Sequence, residues 1–343
     1  MATMSRPPVT CWPPTGRHGS VAAVAQTKNG LIGHDALGSG SRPDVATSSI
    51  RGPMPNADEI RDVQRTTWAG LAPSWEKWDA VIVNQLRPVG AAIIERLDIA
   101  EDQQHLDIAS GTGEPGLSVA ALSPKGRVVL TDLVAQMLDV AARRARAQRI
   151  ANIETRVCSA DDLPFDDATF DSVSVRFGYM FFPDMAKATA EFARVLKPGG
   201  RLCSSVWVKP DKNPWTGIAM EAIAAEAAVA PPEPGAAGMF RCAAPGCLSA
   251  LYEDAGLRAV DEWDVDVELV TSSPEEYWEM ISEHVSLVAA ALQQVDGPTQ
   301  ERIREHAIAA AGTYEKDGKV RVPGVARCAA GTKPAHERPT PTR

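Results

Sequence analysis

The stretch that decides the fold is a short apolar run ending in a glycine-rich turn, His105-Leu106-Asp107-Ile108-Ala109-Ser110-Gly111-Thr112-Gly113-Glu114-Pro115-Gly116. Its glycines have the spacing G-x-G-x-x-G, which lets the backbone between a strand and a helix take positive φ and approach a ligand closely. The free N–H groups at the start of the following helix would then face that ligand. This spacing is typical of a dinucleotide site, and a tight turn without a ligand can also produce it.

Two acidic residues narrow the class of ligand. Asp107 lies on the predicted strand, four residues before Gly111, where a buried carboxylate needs a cationic or hydrogen-bonding partner. It would repel a diphosphate and suit an ammonium or a sulfonium. Asp132 ends the next predicted strand, nineteen residues after Gly113, where an acid can accept both hydroxyls of a ribose.

The sequence around this turn alternates strand and helix. We predict strands near residues 104–109, 127–131, 153–158, 170–176 and 201–208, and helices near 114–122, 134–148 and 185–196. Lys197-Pro198-Gly199-Gly200 is expected to stop the third of these helices and lead into the fifth strand. This rhythm predicts an α/β fold, a doubly wound and mostly parallel sheet with helices on both faces.

Helical patterns flank the predicted sheet. Apolar residues near 3.6-residue spacing predict a leading helical region from Asp58 to Leu97. Beyond Trp207 we predict helices at 215–229 and 243–255, a strand near 258–270, two helices within 274–312 and a strand at 319–328. The folded domain is expected to span 56–332, with insertions 209–256 and 271–318 forming a lid, because both follow strands whose carboxyl ends border the ligand crevice.

The ends of the chain have a different composition. Gly, Pro and Ser supply twenty of residues 1–55, with five basic and two acidic side chains, so this segment is expected to be disordered and residues 1–53 dispensable. An organelle transit peptide and an over-long reading frame that truly starts at Met54 are alternatives. Residues 333–343 are expected to form a disordered C-terminal tail.

Charge and cysteine content limit the partners. The 343 residues carry 35 Lys and Arg against 44 Asp and Glu, a net charge of -9 that is a poor match to a nucleic-acid surface. No apolar stretch reaches the roughly 18 to 20 residues of a membrane-spanning helix. Six cysteines without a CxxC pair favour a reducing, cytoplasmic location and no metal site.

Taken in order, four blocks resemble the class I S-adenosylmethionine-dependent methyltransferases, in particular the branch similar to the ubiquinone and menaquinone C-methyltransferases. The blocks are residues 106–113, residues 129–133 followed by Met137-Leu138, residues 158–165, and residues 170–178 followed by 197–202. The resemblance implies S-adenosylmethionine as cofactor and a seven-stranded sheet whose last strand, Lys319 to Cys328, is antiparallel.

The resemblance also implies a set of cofactor-binding residues. Ala109 lies where the family's first glycine commonly does, and Ser159 occupies the position of an Asp that accepts from the adenine amino group, with the Ala160 backbone and Asp161 beside it. The full set is Asp107, Ala109, Ser110, Gly111, Gly113, Asp132, Leu133, Met137, Ser159, Ala160, Asp161 and Arg176.

Candidates for catalysis come from the lid and from the end of the fourth strand. A general base is most often a histidine near neutral pH, and of the six histidines only His284 and His306 fall on predicted lid helices. His284 is the candidate base, and Tyr179 is expected to face the substrate mouth. Trp68, Trp75 and Trp78 could cover a sulfonium or the substrate through their ring faces, or simply pack in the core.

The predicted function is methylation of a small molecule at carbon or oxygen. A protein or RNA methyltransferase and a non-catalytic cofactor-binding scaffold are alternatives. Arsenic methyltransferases share the fold and use cysteines as ligands, but Cys242 and Cys247 match no specific metal spacing and are expected to be buried small residues. The acceptor and the oligomeric state are not determined by the sequence.

Overall fold

The computed structural model describes residues 56–228 and 236–335, so the expected N-terminal tail and the last eight residues of the C-terminal tail lie outside the described residues. The helices are α1 (Ala57–Lys77), α2 (Asp79–Leu97), α3 (Gly116–Leu122), α4 (Ala135–Ala147), α5 (Met185–Val195), α6 (Pro214–Glu226), α7 (Cys247–Asp254), α8 (Pro274–His284), α9 (Ser286–Leu292) and α10 (Gly297–Gly312). The strands are β1 (Gln104–Ile108), β2 (Arg127–Asp132), β3 (Ile153–Val157), β4 (Phe170–Arg176), β5 (Leu196–Trp207), β6 (Arg258–Thr271), β7 (Glu315–Lys316) and β8 (Lys319–Thr332).

The strands form one sheet in the order β3-β2-β1-β4-β5-β8-β6, with the two-residue β7 paired to β8. Strands β1 to β5 are parallel to one another, whereas β8 is antiparallel to both β5 and β6. The implied antiparallel strand at Lys319 to Cys328 is therefore confirmed, and it continues to Thr332, while the two-residue β7 adds an eighth strand to the implied seven. The predicted α/β, doubly wound fold is confirmed with it.

Helices cover both faces of the sheet. Leu117 of α3 and Ala141 of α4 pack with Leu130 of β2 in one apolar cluster, which Ile94 of α2 borders. On the other side α5 and α7 contact each other as well as β5 and β6. The central strands are consequently buried on both faces, which is typical of parallel sheets.

The leading helical region is two helices, where the sequence pattern predicts one. α1 begins at a capping box, because Asn56 accepts from the Glu59 N–H and Glu59 accepts from the Asn56 N–H. The break falls at Trp78, whose backbone leaves the helical region and whose indole donates to Glu283 of α8 at 2.8 Å. That break turns α1 away from α2 and toward the helices of the second insertion.

The turn Lys197-Pro198-Gly199-Gly200 ends α5 as predicted, but its residues belong to the start of β5. Between the pairs Phe170–Leu196 and Ser172–Arg201 the register shifts, and Gly199 takes φ 82° there. Glycine tolerates this left-handed conformation, so the turn works as an irregular strand entry.

The first insertion is divided between two positions in the fold, and its α6 lies with the helices of the second insertion. α6, α8, α9 and α10 pack on one another, and α8 also contacts α1. α7 instead lies against α5 and β6 and so flanks the sheet. Within the described ranges 56–228 and 236–335, no helix is long and apolar enough to cross a membrane.

Candidate functional site

The turn after β1 has the strained backbone that its glycines predict. Ala109, Gly111 and Gly113 take φ values of 50°, 52° and 108°. At Gly113 a Cβ would lie 2.9 Å from the side chain of Leu117, so only glycine allows α3 to pack this closely. Ala109 is a non-glycine residue in the left-handed region, a feature that often marks functional sites.

Asp107 supports the turn from beneath. The carboxylate is fully buried and accepts the Gly116 N–H at 3.0 Å and the Ser174 hydroxyl at 2.5 Å. Burial raises its pKa to about 7, and the two hydrogen bonds and the charge of Arg176 lower it. The hydrogen-bonding partners that this buried acid needs thus come from the protein, and Asp107 holds the start of α3 against the turn.

Asp132 links the turn to the end of β2. Its two oxygens accept the N–H groups of Gly111 and Val134, each at 2.9 Å. Burial raises its pKa to about 6, and the backbone donors lower it, so the group is mainly ionised at neutral pH. A carboxylate has about four acceptor positions, so two remain for the hydroxyls of a ribose.

Ser110 supplies an independent sign of a ligand at this turn. Its side chain is 4% exposed, and the hydroxyl has no hydrogen-bond partner within the described ranges. Buried hydroxyls are normally paired because desolvation without a partner is costly. A polar ligand in the crevice would satisfy it.

α1 forms the roof over the residues that follow Asp132. Ala72 packs with Val134 and Met137, and Trp68, Trp75 and Leu133 border this cluster. The predicted residues Leu133 and Met137 therefore lie beneath α1. Arg143 of α4 holds the same helix by a bidentate ion pair with Glu76.

The predicted adenine-binding segment after β3 is also held by α1. Asp161 is nearly buried and accepts from Ser159 Oγ at 2.5 Å and from Arg61 Nη1 at 2.8 Å. Ser159 and Asp161 are thus one hydrogen-bonded unit, with Ala160 between them. Arg61 was not predicted from the sequence, although it lies on a helix whose start is marked by a capping box.

Arg176, the last residue of β4 and a predicted site residue, contacts the glycine turn. Its side chain is partly buried, and Nε donates to the carbonyl of Glu114 at 3.0 Å. Burial lowers its pKa, while Glu114 and Asp107 raise it. Arg176 therefore fixes the loop that carries the glycines.

Gly178, just beyond β4, brings that strand against the turn. A Cβ at this position would lie 2.9 Å from Ala109 Cβ. The preceding Phe177 takes φ 61° and stacks on Trp207 with ring centroids 4.3 Å apart. This aromatic pair at the carboxyl ends of β4 and β5 was also missed, because its members are thirty positions apart.

Tyr179 does not face the substrate mouth, and that expectation is wrong. The chain enters a 3₁₀ turn at Tyr179–Phe181, which buries the ring against Phe182 and Phe192. Its hydroxyl bonds to Thr189 Oγ1 at 3.1 Å, and burial raises its pKa. Tyr179 is consequently a core residue.

His284 lies at the end of α8, where its ring packs against Trp75 of α1 with centroids 4.4 Å apart. Burial lowers its pKa to about 3, and Nδ1 has no partner within the described ranges. Trp75 Nε1 is likewise buried and unpartnered there. The other lid histidine, His306, is exposed on α10.

An aromatic wall, defined as Trp68, Trp75, Phe181 and His284, connects these elements. Trp68 meets Phe181 edge-on at 5.0 Å and Trp75 at 6.2 Å. Because Trp68 and Trp75 also border the cluster of Val134 and Met137, the wall adjoins the predicted cofactor residues. Trp78 instead packs in the main core, and Cys242 is a buried thiol whose Sγ lies 3.4 Å from Met185 Sδ.

Comparison with known proteins gives one family. Residues 69–218 match the ubiE/COQ5 methyltransferase family. The chain is 37% identical over 151 residues to the demethylmenaquinone methyltransferase of Thermus thermophilus, and this alignment covers 42% of this chain and 65% of that protein. It is 36% identical over 119 residues to the ubiquinone/menaquinone biosynthesis C-methyltransferase UbiE of Francisella philomiragia, which covers 34% of this chain and 48% of that protein. Both alignments thus span less than two thirds of the relative's length.

Proposed function

We propose that this chain, which resembles class I S-adenosylmethionine-dependent methyltransferases and matches their ubiE/COQ5 branch over residues 69–218, transfers a methyl group from S-adenosylmethionine to a small-molecule acceptor. The observation that carries the proposal is the pairing of Asp132 with the Gly111 N–H, which places a carboxylate with spare acceptor positions beside a glycine turn. A crevice at the carboxyl ends of parallel strands is where open α/β sheets bind ligands.

The residues present fit this cofactor. Asp132 would accept the ribose hydroxyls, the unpartnered Ser110 hydroxyl would bond to a polar group of the ligand, and the Ser159–Asp161 unit would meet the adenine. Leu133, which is partly exposed beside Trp68 and Trp75, would offer an apolar surface to a flat ring, and the buried Met137 would support it from beneath. When bound, S-adenosylmethionine supplies a methyl group on a positively charged sulfur.

The acceptor that suits the aromatic wall is a flat, electron-rich ring. Trp68, Trp75 and Phe181 offer ring faces and edges, and aromatic pairs gain about 0.5–1.5 kcal/mol beyond simple burial. The buried, unpartnered Trp75 Nε1 and His284 Nδ1 lie on adjoining rings and provide one donor and one acceptor for ring oxygens. Demethylmenaquinone, named for the relative in Thermus thermophilus, belongs to this chemical class.

His284 is the proposed base. Its lowered pKa keeps the imidazole neutral at physiological pH, so Nδ1 can accept a hydrogen bond or a proton from the acceptor. The same low pKa makes His284 a weak base, and proton transfer to it requires an acidic donor. A phenolic ring would meet this need once it has taken the methyl group, because the ring then carries the positive charge that the sulfur loses and its hydroxyl becomes strongly acidic. Positioning next to Trp75 and exclusion of water then contribute much of the rate.

Two measurements test the proposal. Titration calorimetry should show binding of S-adenosylmethionine and S-adenosylhomocysteine and no binding of NAD. Mass spectrometry of reduced demethylmenaquinone and of lysate metabolites, incubated with enzyme and cofactor, should reveal gain of one methyl group. Binding of NAD alone would overturn the cofactor, methylation of lysate protein or RNA alone would overturn the acceptor class, and cofactor binding without any methylated product would favour a scaffold.

A further inference from the structure

A row of buried polar side chains runs along β1 and β4 beneath the glycine turn. Gln103, His105 and Asp107 come from the β1 side, and Ser172 and Ser174 come from β4. All five are at most 7% exposed. Their positions follow from the parallel register, which pairs His105 with Ser172 and Asp107 with Ser174.

These side chains form one continuous chain of hydrogen bonds. Gln103 Nε2 donates to Ser172 Oγ at 2.7 Å, and Ser172 Oγ lies 2.7 Å from His105 Nδ1. His105 Nε2 lies 2.9 Å from Ser174 Oγ, which donates to Asp107 Oδ1 at 2.5 Å. The chain thus joins the amino edge of the sheet to the acid that holds the turn.

The donors in this chain of hydrogen bonds all point in one direction. The Gln103 carbonyl oxygen accepts the Ala100 N–H at 2.6 Å, so the amide nitrogen must be the group that faces Ser172. Ser172 can then donate to His105 Nδ1, which places the imidazole proton on Nε2, where it points to Ser174. Every donor is therefore directed toward Asp107, and such aligned bonds strengthen one another in a low-dielectric interior.

We propose that His105 is a positioning residue for cofactor binding, which keeps Asp107 in its anionic form through Ser174 and thereby holds Gly116 and the glycine turn in their binding conformation. The role toward the cofactor rests on the proposed function. The effect on the ionisation of Asp107 does not, because it follows from contacts within the protein.

The reverse arrangement is unfavourable. A protonated Asp107 that donated through Oδ1 would require Ser174 to donate to His105 Nε2, which would move the imidazole proton to Nδ1. Ser172 would then face two donors, and its own hydrogen would lack an acceptor among the described residues. Leaving a buried hydroxyl unpaired costs about 1–3 kcal/mol.

The charge of Asp107 is sensitive to this chain of hydrogen bonds, because burial and hydrogen bonding shift its pKa in opposite directions. Burial raises its pKa to about 7, and the bonds from Ser174 and Gly116 lower it. The charged groups that face it are Arg176 of β4, which lowers the pKa, and Glu114 of the turn, which raises it. From β2 the Thr131 hydroxyl donates to the Asp107 backbone carbonyl, and α3 presents the Gly116 N–H. Burial lowers the pKa of His105 to about 3, so the imidazole stays neutral.

The test compares two variants that both lack the imidazole. His105→Gln keeps a terminal amide that can donate to Ser174, whereas His105→Met has similar volume and no donor. S-adenosylhomocysteine affinity is measured by calorimetry from pH 5.5 to 8.5. In the wild type and His105→Gln, affinity should fall on acidification with a midpoint near the Asp107 pKa, about 7. In His105→Met the midpoint should rise by roughly one pH unit, which is about a tenfold loss of affinity at fixed pH below it.

Unfolding of the ligand-free variants gives a second readout. The folded pKa of Asp107 lies above its unfolded value, so this group makes stability fall as pH rises from about 4 to 7 and adds no further slope above that. Both variants lack the His105 titration, and the difference between their profiles reports Asp107. The falling region should extend about one pH unit higher in His105→Met than in His105→Gln.

Identical pH profiles for the two variants would overturn the proposal, whatever their absolute stability. Should His105→Met fail to fold, Gln103→Met at the amino edge removes the directing amide and should shift the midpoint upward relative to wild type. An unshifted Gln103→Met profile would also overturn it. If the wild type binds no S-adenosylhomocysteine, the proposed function fails, and the unfolding comparison still tests His105.

Discussion

Gly116→Ala tests the close packing beneath the glycine turn. An ideal Cβ at this position would lie 2.3 Å from Leu130 Cδ2 and 2.9 Å from Asp107 Oδ2. Both contacts are too short for real atoms, and Leu130 is fully buried in the cluster under α3, so it has little room to move. The substitution must therefore displace the start of α3, the Asp107 carboxylate, or both.

The magnitude follows from two effects. Overpacking a dense core costs typically about 1–3 kcal/mol. Weakening the charge-assisted bond from Gly116 N–H to Asp107 adds up to about 1.5–3 kcal/mol, and better helix propensity returns up to about 1 kcal/mol. We expect a net loss of about 2–4 kcal/mol in the free energy of unfolding. Affinity for S-adenosylhomocysteine should fall as well.

Urea unfolding and calorimetry measure the two quantities. Gly90→Ala in the middle of α2 is the matched control, because a Cβ there has no described atom within 4 Å and should stabilise the protein by about 0.5–1 kcal/mol. The reasoning is refuted if Gly116→Ala unfolds within about 0.5 kcal/mol of wild type and binds S-adenosylhomocysteine equally well.

Three further predictions concern the ligand groups and the roof. Asp132→Ala should weaken binding of S-adenosylmethionine by roughly 1–3 kcal/mol, since it removes the proposed ribose acceptor and unpairs two backbone donors; unchanged affinity in calorimetry would contradict this. Arg61→Gln should release S-adenosylhomocysteine about tenfold faster in stopped-flow experiments, because the nearly buried Asp161 loses a charged donor. Arg65→Gln is the control and should match wild type, because Arg65 belongs to an exposed ion pair within α1. Equal release rates in both would exclude a role for this ion pair. His284→Ala should lower turnover by about two to four orders of magnitude, whereas the control His306→Ala, at an exposed position, should not. If His284→Ala turned over at the wild-type rate, catalysis would have to rest on positioning and spontaneous proton loss.

Local sequence determined the sheet and the turn. β1, β2, β3 and β4 lie within one residue of their predicted bounds, because strand and helix patterns alternate regularly along this part of the chain. The glycine turn could be predicted from the sequence as well, since positive φ at Gly111 and close packing at Gly113 admit few other residues. The acid Asp132 could be identified by its place at the end of a strand.

Only the tertiary structure decided what surrounds those residues. The break at Trp78 was hidden because the apolar period continues across it, yet it places α1 over the residues that follow Asp132 and brings Trp75 to His284. Tyr179 was misplaced for a related reason: a residue just after a strand can turn toward the crevice or the core, and a 3₁₀ turn selects the core.

The ionisation of the buried groups was likewise decided only by the tertiary structure. In sequence Asp107 and His105 are two polar residues on one strand, and their spacing of two shows only that they share a face. The pairing of β1 with β4, across more than sixty residues of chain, supplies Ser172 and Ser174 and connects the two groups. Local pattern thus determined which residues form strands and turns, whereas the partners that set charge and direction come from distant segments that only the folded chain brings together.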